Sequence, residues 1–152
     1  MTPGLYPFES EETHSLAIIP LSVRYKLDVC EVKLHLQQWQ TLPLPDRQAL
    51  LATAFISQAD IYACKTLLHE LIDRHFGEPA TAHPLTGDES WLDASRWPQV
   101  VIDQCEREGL SLPPIERWSM LDEAQRHAMF VLGRSKHSRR EFRAAMRLFC
   151  DG

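Results

Sequence analysis

The sequence predicts an all-α fold, a single compact helical domain of about six helices built from two related halves by internal duplication. Three observations predict it: a composition suited to an ordinary packed globule, a long segment that recurs in order, and apolar stripes at helical spacing bracketed by start and stop residues. Of the 152 residues, 44% are hydrophobic and 24% charged, which lies well outside the disordered regime and lets about two thirds of the unfolded surface be buried. The opening MTPGLYPFESEETHS is acidic and interrupted by proline, with no apolar run. It therefore reads neither as a signal peptide nor as a membrane span, and the cytoplasm is the expected compartment.

The recurrence centres on two tryptophans. WQTLPLPDRQAL from Trp39 and WSMLDEAQRHAM from Trp118 share Trp, Leu, Arg and Ala at the same offsets. Upstream of each stands a proline, Pro20 or Pro98, then LDVCE at 27–31 or IDQCE at 102–106, then Leu-x-Leu at 34–36 or 110–112. Five features kept in order point to a duplicated unit of about 75 to 79 residues. The halves span about 16–76 and 97–150, joined by a loop over 77–96.

Each element follows from local signals. LSVRYKLDV, 21–29, alternates apolar and polar residues, which alone suggests a strand. The second copy decides otherwise, because Val101, Ile102 and Cys105 share a helical face between Pro98 and the cap-type Gly109. Val23, Leu27 and Cys30 then form the equivalent stripe of a first helix. Pro45 opens a helix carrying Leu50, Leu51 and Ala54. Ser57 with Asp60 caps a longer one, with Ile61, Cys64, Leu68, Leu71 and Ile72 inward and Gly77 as its stop. The segment 77–97 is rich in Pro, Gly, Ser and Asp and has no period, so it reads as a loop, pinned by Trp91 and Trp97. Asp122 with Gln125 opens a helix carrying Ala124, Ala128 and Leu132 and ended at Gly133. Ser138 with Glu141 caps a last one, with Phe142, Ala145, Met146 and Phe149 inward.

Chemical motifs are sparse. The cysteines at 30, 64, 105 and 150 are too widely spaced for CxxC redox or zinc-finger geometry, and the seven histidines form neither HExxH nor an i, i+4 pair, so no metal and no cofactor are expected. Gly-rich phosphate loops and nucleophile elbows are missing too, which favours a non-enzymatic role. His137 is the one candidate proton handler, though a histidine at a helix start is more often a cap or surface residue.

Two repeat positions carry opposite charge, Asp28 with Asp103 and Arg47 with Arg126. The simplest expectation is a pair of structural ion pairs, Asp28 to Arg47 and Asp103 to Arg126, rather than a polar functional site. Trp39 and Trp118 are expected as core anchors rather than stacking platforms. The net charge of −5 conceals an asymmetry. Residues 126–152 hold seven Lys or Arg against two acids, a local charge of +5, and residues 1–125 hold nine against nineteen, or −10. Lys136, His137, Arg139, Arg140, Arg143 and Arg147 make a candidate patch for an anionic partner, with Arg139, Arg143 and Arg147 at i, i+4 and i+8. The plainer reading is a solvated face that offsets the acidic body. Nucleic acid is not expected, given the negative total and the lack of aromatics interleaved on that face.

The string IPLSVRYKLDVCEVKLHLQQW, with QRHAM and the KH of GRSKHSRREF, resembles the nitrate reductase-associated protein family. The resemblance runs from about Phe8 to Phe149 through Ile19-Pro20, Trp39, Tyr62, Trp91, Trp118, Gln125-Arg126, His137 and Phe142. This is a small bacterial family, known chiefly from cyanobacteria, whose genes tend to lie near those for nitrate reductase and molybdenum cofactor synthesis. Ile18 stands where the family usually has Cys, Ala54-Phe55 where it has Pro-Cys, and Ser138-Arg139-Arg140 where it has acidic and amide residues. The resemblance implies an accessory or regulatory role in nitrate assimilation, with nitrate reductase or a molybdenum-cofactor protein as partner. The competing expectation is a small cofactor-free enzyme or anionic-ligand carrier with a pocket between the halves, lined by His137, Arg126 and Tyr25.

Overall fold

The computed structural model describes residues 4–151. Helix covers 61% of the chain, in nine α-helices and a 3₁₀ turn among the described residues, so the class is helical. Nine replaces the expected six because three helices have only four to six residues, too few for a 3.6-residue period to show. Two compact units emerge, Met1–Thr86 and Gly87–Gly152, and their boundary falls inside the segment expected to be a loop. No helix among the described residues is long and apolar enough to cross a membrane.

The first unit begins with α1 (Glu11–His14), capped by the Ser10 hydroxyl, which accepts from the Thr13 amide. Next comes α2 (Leu21–Val29), where Val23, Leu27 and Cys30 are buried as one helical stripe. Pro20 occupies its N-cap without an accepting side chain. The buried carboxylate of Glu9 supplies the missing acceptor, taking the Leu21 amide at 3.1 Å and the Tyr6 amide at 2.9 Å. After Glu31, which adopts φ +58°, β1 (Val32–Lys33) pairs antiparallel with β2 (Thr81–Ala82). This two-strand ladder was not expected from the sequence, since two residues are too few to show a period of two. α3 (Leu36–Thr41), α4 (Leu44–Ala52) and α5 (Gln58–Phe76) follow. Ser57 and Asp60 exchange side-chain and backbone bonds at the start of α5, and Gly77 ends it at φ +66°. Ala54 lies beyond α4 and is exposed, because that helix stops at Ala52.

A lysine is buried in this unit as well. The Lys26 ammonium donates to the carbonyls of Leu50, Leu51 and Thr53 at 3.0, 3.0 and 2.8 Å. These are carbonyls that the end of α4 leaves without helical partners, so three donors meet three acceptors. Burial pushes the Lys26 pKa down.

The second unit starts with the 3₁₀ turn Ser90–Leu92, which seats Trp91. It continues through α6 (Gln99–Glu108), α7 (Ile115–Met120), α8 (Glu123–Arg134) and α9 (Arg139–Cys150). α8 packs against α6, α9 and the 3₁₀ turn. His127 on α8 is fully buried, edge-on to Trp91 at 4.9 Å, and Trp97 lies 5.2 Å from Trp118. Asp122 and Gln125 form the expected capping box. Two local expectations are corrected. Gly133 does not end α8; it is buried within the helix, where a Cβ would stand 3.2 Å from Val101 Cγ2 and 3.3 Å from the Val100 carbonyl. Glycine there serves the close approach of α6. Ser138 makes no cap bond to α9, since its hydroxyl instead accepts from Ser135 Oγ at 2.9 Å.

Candidate functional site

Helix α6 ends on a carboxylate. Glu108 immediately precedes Gly109, which turns the chain at φ +67°, and negative charge is disfavoured at a helix C-terminus. The side chain of Glu108 is only 4% exposed, so it needs cationic partners. α9 supplies two, one turn apart. Arg139 Nε donates to Oε2 at 2.6 Å, Arg143 Nε donates to Oε1 at 2.9 Å, and a terminal nitrogen of Arg143 donates to the Glu108 carbonyl at 2.8 Å. Burial pushes the Glu108 carboxyl up, but the two guanidiniums outweigh it and hold the group below the usual carboxylate range.

This changes the basic stripe expected from i, i+4, i+8 spacing. Arg139 and Arg143 tie α9 to the end of α6, while Lys136, Arg140 and Arg147 are exposed and make no ion pair among the described residues. His137 is exposed as well, its amide donating to Ser135 Oγ at 3.3 Å.

Beside this clamp lies a cleft of about 620 Å³ within the second unit. One wall is α6, through Val100, Asp103, Gln104, Arg107 and Glu108. The other is formed by Gly133, Arg134, Lys136 and Arg139. Four cations therefore face two carboxylates, and Glu108 is already engaged. Gln104, almost fully buried, accepts from Arg107 Nε at 3.0 Å and from a terminal Arg107 nitrogen at 2.5 Å. Arg134 sits over the Phe130 ring at 5.1 Å, a cation–π contact of i, i+4 neighbours. Asp103 accepts from Gln99 Nε2 at 2.8 Å. His137, Arg126 and Tyr25 are not among its lining residues.

The expected ion pairs at the repeated positions are not formed. In the first unit Arg47 donates to the carbonyls of Leu42 at 3.1 Å and Leu16 at 2.9 Å, not to Asp28. In the second, Arg126 donates to Leu121 at 2.6 Å and Trp91 at 3.1 Å, not to Asp103. Leu42 and Leu121 are the C-caps of α3 and α7. Their carbonyls lack helical donors and lie five residues before each arginine, closer acceptors than a carboxylate on another helix. Trp39 and Trp118 are fully buried, and their indole N–H groups donate to Leu16 at 2.7 Å and Asp93 at 2.9 Å.

Glu108, Gln104, Arg107 and Arg134 were not singled out from the sequence. A signal for Glu108 was present: an acid placed just before a cap glycine opposes the helix dipole and calls for cations from elsewhere. For Gln104 and Arg134 no comparable signal exists, because their partners are set by packing. Among the described residues, no three His, Cys, Asp or Glu side chains stand together so as to hold a metal ion.

The sequence profile of a family described as conserved nitrate reductase-associated protein matches residues 5–149. Comparison with curated proteins and with solved structures found no match.

Proposed function

The chain belongs to the conserved nitrate reductase-associated protein family, and from that premise we propose that it is a non-enzymatic accessory or regulatory protein of nitrate assimilation. It acts in the cytoplasm on nitrate reductase or a protein of its molybdenum cofactor. The observation that carries the reading is the division of labour along α9. Arg139 and Arg143 hold Glu108, whereas Arg140 and Arg147, seven residues apart and so on one helical face, stay in solvent together with Lys136 and His137. A local excess of cations on an otherwise acidic chain suits an acidic protein surface, with the charges steering association.

The two units are further read as copies of one ancestral unit. Support comes from shared detail: a proline at the N-cap of α2 and of α6, a buried Trp whose indole donates to an upstream carbonyl, and an Arg that bonds the C-cap carbonyl before it. Gln40 and Ser119, each directly after its Trp, also donate to the next upstream carbonyls, Ala17 and Ala94.

The docking reading is tested with purified nitrate reductase and molybdenum-cofactor proteins of the native host. Wild type binds one of them with an affinity that falls as salt rises, and Arg140→Glu with Arg147→Glu weakens binding at least tenfold with the fold intact. No binding by wild type, or binding indifferent to the double charge reversal, overturns it.

A further inference from the structure

We propose that the cleft between α6 and the α8–α9 turn is a binding site for a small organic phosphate, its dianionic head held by Arg107, Arg134 and Lys136. The volume of about 620 Å³ is that of a small-molecule site, well above the space of a single ion. Its cations are arranged rather than scattered. Arg107 is clamped by the almost fully buried Gln104, which takes Nε and one terminal nitrogen. A guanidinium has five N–H donors in a fixed plane, so three remain, including a pair on the terminal edge that suits two oxygens of one phosphate. Arg139 is likewise held at Nε by the buried Glu108, which leaves its terminal nitrogens available at the cleft.

Charge selects the head group. Arg107, Arg134 and Lys136 face Asp103 as the sole carboxylate not already bonded to arginines, an excess of two positive charges. A phosphate monoester carries close to two negative charges at neutral pH. Gly133 and Val100 add an uncharged stretch of wall, against which the organic part of the ligand rests. The site shares Lys136 with the exposed cations of the docking face and is otherwise distinct from it, since Arg107 and Arg134 are not in that face and Arg140 and Arg147 do not line the cleft.

The test is calorimetric titration of the full chain with glycerol 3-phosphate at ionic strength held constant with sodium chloride. Saturable one-to-one binding is expected, with the Gly133 amide and the Arg107 Nε–H signals shifting in NMR spectra. Arg107→Gln and Arg134→Gln each weaken binding at least tenfold, while Arg96→Gln, an exposed cation outside the cleft, and Arg140→Glu with Arg147→Glu leave it within twofold. Circular dichroism verifies that each variant is folded, and Arg107→Lys, which keeps charge but loses the fork, gives an intermediate loss. Absence of saturable binding, equal loss in Arg96→Gln, or malonate binding as tightly as glycerol 3-phosphate overturns the proposal.

Discussion

Arg143 grips Glu108 twice, with Nε on the carboxylate at 2.9 Å and a terminal nitrogen on the same residue's backbone carbonyl at 2.8 Å. One side chain thereby satisfies both a buried charge and a carbonyl at the end of a helix, where no helical donor is left. Glu108 is the point at which α9 is fastened to α6. Arg143→Met is expected to lower Tm by several degrees, an effect seen in thermal unfolding followed by circular dichroism. Arg147→Met, on the same stripe but without such a partner, leaves Tm unchanged.

The same clamp sets an acid limit. The folded Glu108 carboxyl lies below its ordinary value of 4.5, so the unfolded chain binds its proton first as pH falls. This contribution to stability is present above 4.5 and is lost as pH drops through the folded value. Glu9 acts in the opposite sense. Burial raises its pKa above 4.5, so its contribution is complete below 4.5 and is lost as pH rises through the folded value. Urea unfolding between pH 3 and 7 separates the two: Glu108→Gln flattens the low-pH fall, whereas Glu9→Gln leaves it.

Lys26 is expected to resist replacement by an apolar isostere. Lys26→Met leaves three carbonyls at the end of α4 without a donor, and one unsatisfied buried group costs about 1–3 kcal/mol. Relief of the desolvated ammonium offsets part of this, so a net loss of roughly 3 kcal/mol is expected in denaturant titrations. The lowered pKa means that the unfolded chain holds the proton more tightly, so Lys26 makes stability rise with pH as it passes from the folded value up to 10.5. A variant in which that rise persists contradicts the assignment.

Gly133→Ala sets two effects against each other. Helix propensity favours alanine by about 1 kcal/mol. The added methyl would meet Val101 Cγ2 and the α6 backbone at 3.2–3.3 Å, and backbone cannot move aside as a side-chain tip can, so overpacking of about 1–3 kcal/mol prevails. Net destabilisation of about 1 kcal/mol is expected in equilibrium unfolding.

Arg47→Met and Arg126→Met test the kinship of the two units. Each removes donors from two carbonyls, one of them a C-cap carbonyl. Similar losses, on the order of 2 kcal/mol apiece, are expected. A large loss at one position and none at the other would speak against equivalent roles.

All four cysteines are buried free thiols. Burial, with the neighbouring Asp151, pushes Cys150 up to about 11, and burial raises Cys105. The thiolate is the reactive species, so a disulfide reagent at pH 8 should leave both unmodified in the folded chain and label them in denaturant.

How much was legible in the sequence follows from the range of each interaction. Apolar stripes at helical spacing, capping pairs such as Asp122 with Gln125, and stops such as Gly77 and Gly109 act within one or two turns, and they marked most of the long helices. Short helices and the two-residue strands escaped because each spans fewer than two periods of its repeat, so no recurrence can show. The arginines marked by repetition proved to bond backbone carbonyls, whose availability depends on where a helix happens to end. That carboxylates and guanidiniums recur together in sequence said nothing of their distance in space.

The helical class, the burial-prone faces and the concentration of positive charge from Arg126 onward are all written in the order of residues along the chain. Those properties depend on neighbours along the chain and on composition. Which of the charges are bound and which are available is settled by folding, because Glu108 meets Arg139 and Arg143 across 31 and 35 residues of sequence. The cleft beside them arises from the approach of α6 and α8 at Gly133, a distance fixed by packing and not by any local rule.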